Sequence, residues 1–564
     1  MDYLLAIPLY GFGLFSRDHA SQAAVSAALL GVFFHITITQ VIDLDEFIHL
    51  LVAILPLSLL GLSFTYYVLR FNILETAVRM CVVVGSFNAG LFSSMVIYRL
   101  FFHRLRKFPG PLDVKVSTFF AAFRTIRSDV KYHKVVAGMH EEYGDFVRVA
   151  PRELCIVRKS AVPIIYGPNS KCRKSSFYSV PDSDDMKSSL HTVKNHDNHR
   201  IRRRAWDKGF SIKALNTYEP RIKVLVDKLV SQISQHKRPV DGTEWSMYLT
   251  FDVMGSVGFG QDFGCVSSAT EHPAIKAIHE HMGIIGVMSR TPWLLNLIAR
   301  IPGAAAGYSE FFGYCRSQIQ AKRKNFQPDQ YPQDIMSWLL KAIVERDASA
   351  SPTEESLNED SRLLIVAGSE TNATTLAATL FFLTKLPSVQ RKLRAQLDIA
   401  IPTPADWTYE KVQLVTYLDN IIDETLRLKP ATMIGGHRET PREGIQIDEQ
   451  YIPGYTEVFV PVQLIQTDPR YWKEATEFVP ERWGERSSEM GTDGAPYFPF
   501  SSGSYSCPGK NLAIMTLRIA LSCLVQSFDI SFAPGETGEV FDKEAKDTFS
   551  TELPPLMLQF SPRK

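Results

Sequence analysis

A mainly α-helical protein with a small β portion, preceded by helices that cross a membrane, is the fold class that the sequence predicts. Three observations carry this expectation. Three long apolar stretches end at Phe102, and the composition then turns amphipathic. Helical patterns dominate the remainder, notably Ser361 to Leu386 and Thr408 to Leu428. Strand-like pieces such as Phe146-Val147-Arg148-Val149 and Glu457-Val458-Phe459-Val460 are short and outnumbered.

The apolar stretches run from Ser21 to Ile42, Phe47 to Leu69 and Val78 to Phe102. Each is near the roughly 20 residues that cover a bilayer core. A secretory signal would be one short apolar run before a small-residue cleavage site, which three long runs do not resemble. His35 and several polar residues make the first stretch the weakest, so two or three segments span. The third leads directly into His103-Arg104-Leu105-Arg106-Lys107, a basic flank that belongs on the cytosolic side. Two prolines around Gly110 then end any helix, and the domain boundary is placed there. Residues 1–107 form the anchor and 108–564 the large domain. Ser351 to Glu359 is polar and reads as a loop before the long helix that begins at Ser361.

Hydrophobic residues make up 45% of the 564 and charged residues 21%, with a formal net charge of +1. Nothing in that balance calls for nucleic acid or a strongly acidic partner. Seven cysteines are scattered without a C-x-x-C pair, which argues against a zinc ribbon and against a disulfide scaffold.

Chemistry concentrates in four segments. In Pro499-Phe500-Ser501-Ser502-Gly503-Ser504-Tyr505-Ser506-Cys507-Pro508-Gly509-Lys510 a single thiol sits in a turn-rich loop before a helical run. Free backbone N–H groups and the helix dipole lower the pKa of such a thiol. Glycines on either side let the backbone approach something flat and bulky. On this loop alone an activated cysteine and an inert half-buried thiol fit equally. Ala367-Gly368-Ser369-Glu370-Thr371-Asn372 places an acid and a hydroxyl in an apolar helix, either as a proton-delivery pair or as a polar stripe facing solvent. Glu424 and Arg427 lie three apart on a helix, and Arg482 follows in Phe478-Val479-Pro480-Glu481-Arg482-Trp483. His199 and Arg203 share one face of the basic segment His199 to Ser211.

Taken in this order and spacing, the four segments resemble the cytochromes P-450 from about Phe108 onward. The family pattern F-x-x-G-x-R-x-C-x-G is matched at Phe500, Gly503, Cys507 and Gly509, and A/G-G-x-D/E-T at Ala367, Gly368, Glu370 and Thr371. E-x-x-R is Glu424 and Arg427, with Arg482 in the later motif. His199 and Arg203 stand on the tryptophan and arginine of W-x-x-x-R, and Arg438 falls where another propionate contact is common. Tyr505 replaces the usual arginine or histidine two residues before the cysteine, and Asn372 replaces threonine or serine.

The resemblance implies the P-450 fold, with heme b bound between the long helix and the cysteine loop and Cys507 as axial iron ligand. It implies a buried triad of Glu424, Arg427 and Arg482 bracing that loop, and proton delivery through Glu370 and Thr371. His199, Arg203 and Arg438 would contact the propionates. The implied reaction inserts one atom of dioxygen into an apolar organic substrate, with electrons from NADPH through a separate membrane-bound flavoprotein reductase. The Phe500 to Ala513 segment and the multi-span N-terminus look most like enzymes of fungal secondary metabolism, on the endoplasmic reticulum with the catalytic domain cytosolic. Desaturation, rearrangement or dehydration by the same fold is the alternative, and a non-enzymatic heme-binding membrane protein the weaker one.

Overall fold

The computed structural model describes residues 20–40, 44–178, 184–298, 301, 303 and 306–563. It is mainly helical, with four small sheets among the described residues.

Three N-terminal helices are long and apolar enough to cross a membrane. They are α1 (Ala20–Phe34, continued by a wider turn His35–Thr39), α2 (Leu44–Val68) and α3 (Ile73–Ile97, continued to Phe102). Residues 41 and 42 of the first expected span lie outside the described residues. The third helix begins at Ile73 and not Val78, because Asn72 and Glu75 form a reciprocal capping box there. Helices α1 and α3 touch backbone to backbone. A methyl group on Gly31 would lie 2.1 Å from the Phe87 carbonyl oxygen, and one on Gly90 2.1 Å from that of Ala28. Small residues at such a crossing are what close helix packing in lipid requires.

The expected hinge is clamped. Arg148 N–H donates to the Pro109 carbonyl at 2.8 Å, and the Arg148 guanidinium to the Arg99 carbonyl at 2.8 Å. A Cβ on Gly110 (φ 149°) would meet the Arg148 carbonyl at 2.4 Å, so only glycine fits. Part of the basic flank also packs inward: His103 and Leu105 are buried, and Arg104 donates to the Tyr455 carbonyl.

The site depends on a few later elements. Strands β1 (Phe146–Ala150), β2 (Glu153–Ile156) and β3 (Arg173–Lys174) precede helices α4 (His196–Gly209), α5 (Gly242–Val253) and α6 (Pro273–Met288). The long helix α7 spans Glu354–Lys385, followed by α8 (Thr416–Leu428), β4 (Arg438–Glu439) and β5 (Glu457–Phe459). Helix α9 (Lys510–Ser527) and the hairpin β6 (Lys546–Asp547) and β7 (Thr551–Glu552) complete it. The five-stranded sheet has the order β1-β2-β5-β4-β3, and its last register sets Lys174 opposite Arg438.

Helix α7 lies in the main core, packed on α5, α8 and α9, with Leu376, Ala377, Ala378 and Leu383 at most 1% exposed. It begins seven residues before the expected Ser361. Thr353 caps it through a reciprocal bond with Ser356, and Glu354 and Glu355 favour the positive end of its dipole. The polar segment expected as a loop is therefore mostly its first two turns. Gly368 has a packing reason, since a Cβ there would lie 2.4 Å from the Met254 sulfur. The stretch Thr408 to Leu428 divides into Tyr409–Gln413 and α8.

Candidate functional site: a loop cysteine beneath a buried cation cluster

Cys507 N–H donates to the Phe500 carbonyl at 2.9 Å, closing the loop, and α9 starts three residues later. Gly503 has φ 62°, and a Cβ there would lie 2.5 Å from the Gly167 carbonyl. Arg203 on α4 reaches the same loop, donating to the Ser506 carbonyl at 2.7 Å while pairing with Asp207 at 2.7 Å. Cys507 is exposed, although much of the protein crowds around its thiol. Burial pushes its pKa up, against the Gly509 and Lys510 backbone N–H groups and Arg203, which pull it down. The helix N-terminus acts in the expected direction but does not win by itself.

Tyr505 carries a cluster on its ring. The guanidinium of Arg438 lies 4.9 Å from the ring centroid and the Lys174 ammonium 5.0 Å. His199 meets the ring edge-on at 4.7 Å. Lys174 and Arg438 are 4% and 3% exposed and face each other across β3 and β4, an arrangement that costs stability unless an anion offsets it. Neither has an ion-pair partner among the described residues: Lys174 donates to the Leu190 and His191 carbonyls, and Arg438 to Tyr178 and the His437 carbonyl. Burial first, then Arg438, holds the Lys174 pKa well below its usual value. Burial and the cations around His199 hold it down to about 2, so this imidazole is neutral and supplies no charge. Arg438 Nε, Tyr505 Oη and His199 Nδ1 are buried without a hydrogen-bond partner among the described residues.

The triad is satisfied by contrast. Glu424 accepts from Arg427 through both oxygens at 2.8 Å, from Arg482 Nε at 2.9 Å, from Val479 N–H at 2.9 Å and from Trp483 Nε1 at 3.0 Å. All three charged side chains are fully buried. Remaining guanidinium hydrogens go to the carbonyls of Gln466, Ala475, Glu477, Lys473 and Glu474. Gln466 Oε1 also accepts from Phe498 N–H at 3.1 Å, tying this block to the start of the cysteine loop.

Glu370 and Thr371 point apart, as adjacent helical residues must. Glu370 is buried and accepts from the Ser550 hydroxyl in the β6–β7 hairpin turn; burial raises its pKa to about 7, opposed by Ser550. Thr371 donates to the Ala367 carbonyl at 2.7 Å, and Ala367, one turn back, is exposed in mid-helix. Asn372 is buried.

Sequence reasoning missed Lys174 and Ser550. Arg173-Lys174 carries no motif, and only the cross-strand register brings Lys174 to Arg438. Ser550 reaches Glu370 across 180 residues of chain.

A long core helix, a cysteine loop at the head of another helix and a buried ion-pair block behind it define a cofactor-binding helical protein. The cytochrome P450 family profile matches residues 109–560, and the chain belongs to that family. Its members use heme b and take electrons from NAD(P)H through a reductase partner, and this chain is a heme-dependent monooxygenase acting on a small organic molecule. It is 37% identical to the cytochrome P450 monooxygenase orf5 of Eupenicillium brefeldianum over 475 residues, 84% of this chain and 94% of the relative. It is 33% identical over 543 residues to the monooxygenase FCK2 of Fusarium pseudograminearum, covering 95% and 97%. Tryprostatin B 6-hydroxylase of Aspergillus fumigatus is 33% identical over 464 residues, 81% of this chain and 80% of that enzyme.

Proposed function

We propose that Cys507 is the axial ligand of the heme iron and that Lys174, Arg438, Tyr505 and His199 hold the propionate edge. The like-charged pair Lys174 and Arg438, buried face to face without a carboxylate, is the observation that carries this reading. Two carboxylates there would neutralise both cations and give Arg438 Nε and Tyr505 Oη their missing partners. An anion would also bring the Lys174 pKa back up. Metal ligation would take the Cys507 proton outright, overcoming burial. The residues present thus fit heme b, with Arg203 positioning the loop through Ser506. When bound, the heme supplies the dioxygen chemistry, and thiolate ligation favours O–O cleavage.

The chain's own residues then hold and move protons. The Thr371 hydroxyl spends its hydrogen on the Ala367 carbonyl, so its oxygen remains an acceptor. Glu370, with a pKa near 7, exchanges protons near neutral pH, and Ser550 fixes its carboxylate.

The anchor at residues 1–107 would be multi-pass in the endoplasmic reticulum, with residues 108–564 cytosolic and the reductase a membrane-bound flavoprotein. The three apolar helices and the basic flank support this. Resemblance to named fungal monooxygenases supports a place in secondary metabolism. The test is the reduced carbon monoxide spectrum of microsomes containing the full chain. The expected result is the red-shifted Soret band of thiolate-bound heme, lost in Cys507→Ala together with NADPH-dependent oxygenation. Retention of the band in Cys507→Ala would refute the assignment. Metabolite profiling of a deletion strain would name the substrate.

A further inference from the structure

Three buried side chains and the half-buried Arg290, from four separate places in the chain, converge beside this site with polar atoms left unpaired. Tyr132 opens the helix Tyr132–Tyr143, Arg290 follows α6, His437 precedes Arg438, and Asp547 lies on β6. Among the described residues, Tyr132 Oη, Arg290 Nε, His437 Nδ1 and Asp547 Oδ2 are buried without a hydrogen bond of ordinary geometry, the Arg290 side chain being the polar neighbour of Tyr132 Oη and the His133 backbone N–H that of the Asp547 carboxylate. The Arg290 guanidinium lies 4.4 Å from the centroid of the Tyr132 ring and 6.0 Å from that of Phe177. It is within electrostatic reach of Asp547, Glu153 and His437. His437 Nε2 in turn lies 2.9 Å from Glu153 Oε1.

Aromatic rings wall this cluster. Phe177 stacks on His437 at 4.3 Å and on Phe549 at 6.4 Å, and Phe549 meets His191 edge-on at 5.5 Å. Phe549 is held at φ 96°, a strained value for a non-glycine residue, by bonds from Thr548 N–H and Oγ1 to the Ser550 carbonyl. It still leaves 41% of its surface open. The hairpin is pinned on both sides: Asp547 N–H donates to the Val130 carbonyl at 2.8 Å, and a Cβ on Gly286 would lie 2.9 Å from the Asp547 carbonyl. Along the chain, His437 adjoins the propionate cation Arg438, and Asp547 lies three residues before Ser550, the partner of Glu370. The cluster therefore borders the reaction site from both directions.

Buried polar groups are normally paired, and several unpaired ones together need an explanation. Tyr132 and Arg290 offer donors, and Asp547 offers an acceptor. An anionic ligand would meet Asp547 and Glu153, and a cationic one would meet Arg290. A neutral group that both accepts and donates satisfies all three. We propose that Tyr132, Arg290 and Asp547 form a substrate-recognition subsite for a neutral secondary amide, set among aromatic side chains. This rests on the reading that heme is held by Cys507 and Arg438, and it sharpens the expectation of an apolar organic substrate by adding one polar group.

The experiment compares two probes of matched shape, N-benzylbenzamide and benzyl benzoate, on the full-length protein. Binding is followed by the ferric Soret shift and, on the same samples, by calorimetry. The amide should bind at least about tenfold more tightly than the ester, because the ester leaves buried groups unpaired. Asp547→Leu, which removes the acceptor that only the amide N–H can use, should bring that ratio to within about twofold, while Tyr132→Phe and Arg290→Met, which remove donors to the carbonyl common to both probes, should each weaken the binding of both. Equal binding of the two probes by the unaltered protein, binding of neither, an unchanged ratio in Asp547→Leu, or unchanged affinity for both probes in Tyr132→Phe and Arg290→Met would overturn the subsite. Loss of the thiolate spectrum in the unaltered protein would instead defeat the heme assignment, while calorimetry would still read the amide preference.

Discussion

Two of the catalytic domain's buried clusters of charge differ in whether the protein completes them. Around Glu424 every carboxylate oxygen and most guanidinium hydrogens of Arg427 and Arg482 find a partner within the chain. Around Tyr505 two cations face each other, and Arg438 Nε, Tyr505 Oη and His199 Nδ1 find none. The first arrangement is scaffold, because breaking a completed buried network leaves a charge stranded. The second has unspent charge and hydrogen-bonding capacity, which is what a ligand uses. Burial and charge alone would not have separated them.

The largest effect should come from breaking the completed cluster. Arg427→Ala leaves Glu424 buried with a single cation and should cost about 3–5 kcal/mol of stability. Denaturant unfolding of the purified domain reads it, and a loss below about 1 kcal/mol would mean that the block is not a brace.

Glu370 gives the next effect, and its sign is fixed by its raised pKa. With a folded pKa of about 7 against an ordinary 4.5, the folded protein keeps a proton that the unfolded chain releases. This contribution is fully present below about pH 4.5 and is lost as the pH rises through about 7, to the extent of about 3 kcal/mol. Glu370→Gln should therefore flatten the decline in melting temperature between pH 5 and 8. An unchanged slope would show that Glu370 does not titrate in this range.

A smaller, purely functional effect belongs to Thr371. Thr371→Ala should keep heme and stability yet lower product formed per NADPH by about tenfold, with hydrogen peroxide in its place. Unchanged coupling would remove Thr371 from the relay.

What the sequence disclosed follows the same division. Cys507, Glu424, Arg427 and Arg482 were singled out through the family resemblance, because each lies in a short motif of fixed spacing that survives without the fold. The long helix was legible where it is apolar, from Ser361, but not in its polar first turns, which capping at Thr353 and the dipole stabilise without any hydrophobic pattern. Lys174 was not legible, since strands of two residues leave no periodicity and their register forms only in the folded sheet. The departure at Tyr505 pointed to missing charge, which the sequence reading sought in Arg203 and Arg438, and of these Arg203 is spent on Asp207 and the Ser506 carbonyl. The fold answers with a lysine more than 300 residues away in sequence, set over the same ring.

The unfinished cluster is tested most directly by heme content per folded protein in Lys174→Ala/Arg438→Ala, with Tyr505→Phe as its neighbour control. The double variant should melt at or above the temperature of the unaltered protein when both are stripped of heme, because it lacks a buried like-charge pair. It should nevertheless retain little heme, while Tyr505→Phe keeps nearly all. Full heme occupancy in the double variant, or loss of folding without heme, would show that these two cations serve the scaffold and not the cofactor.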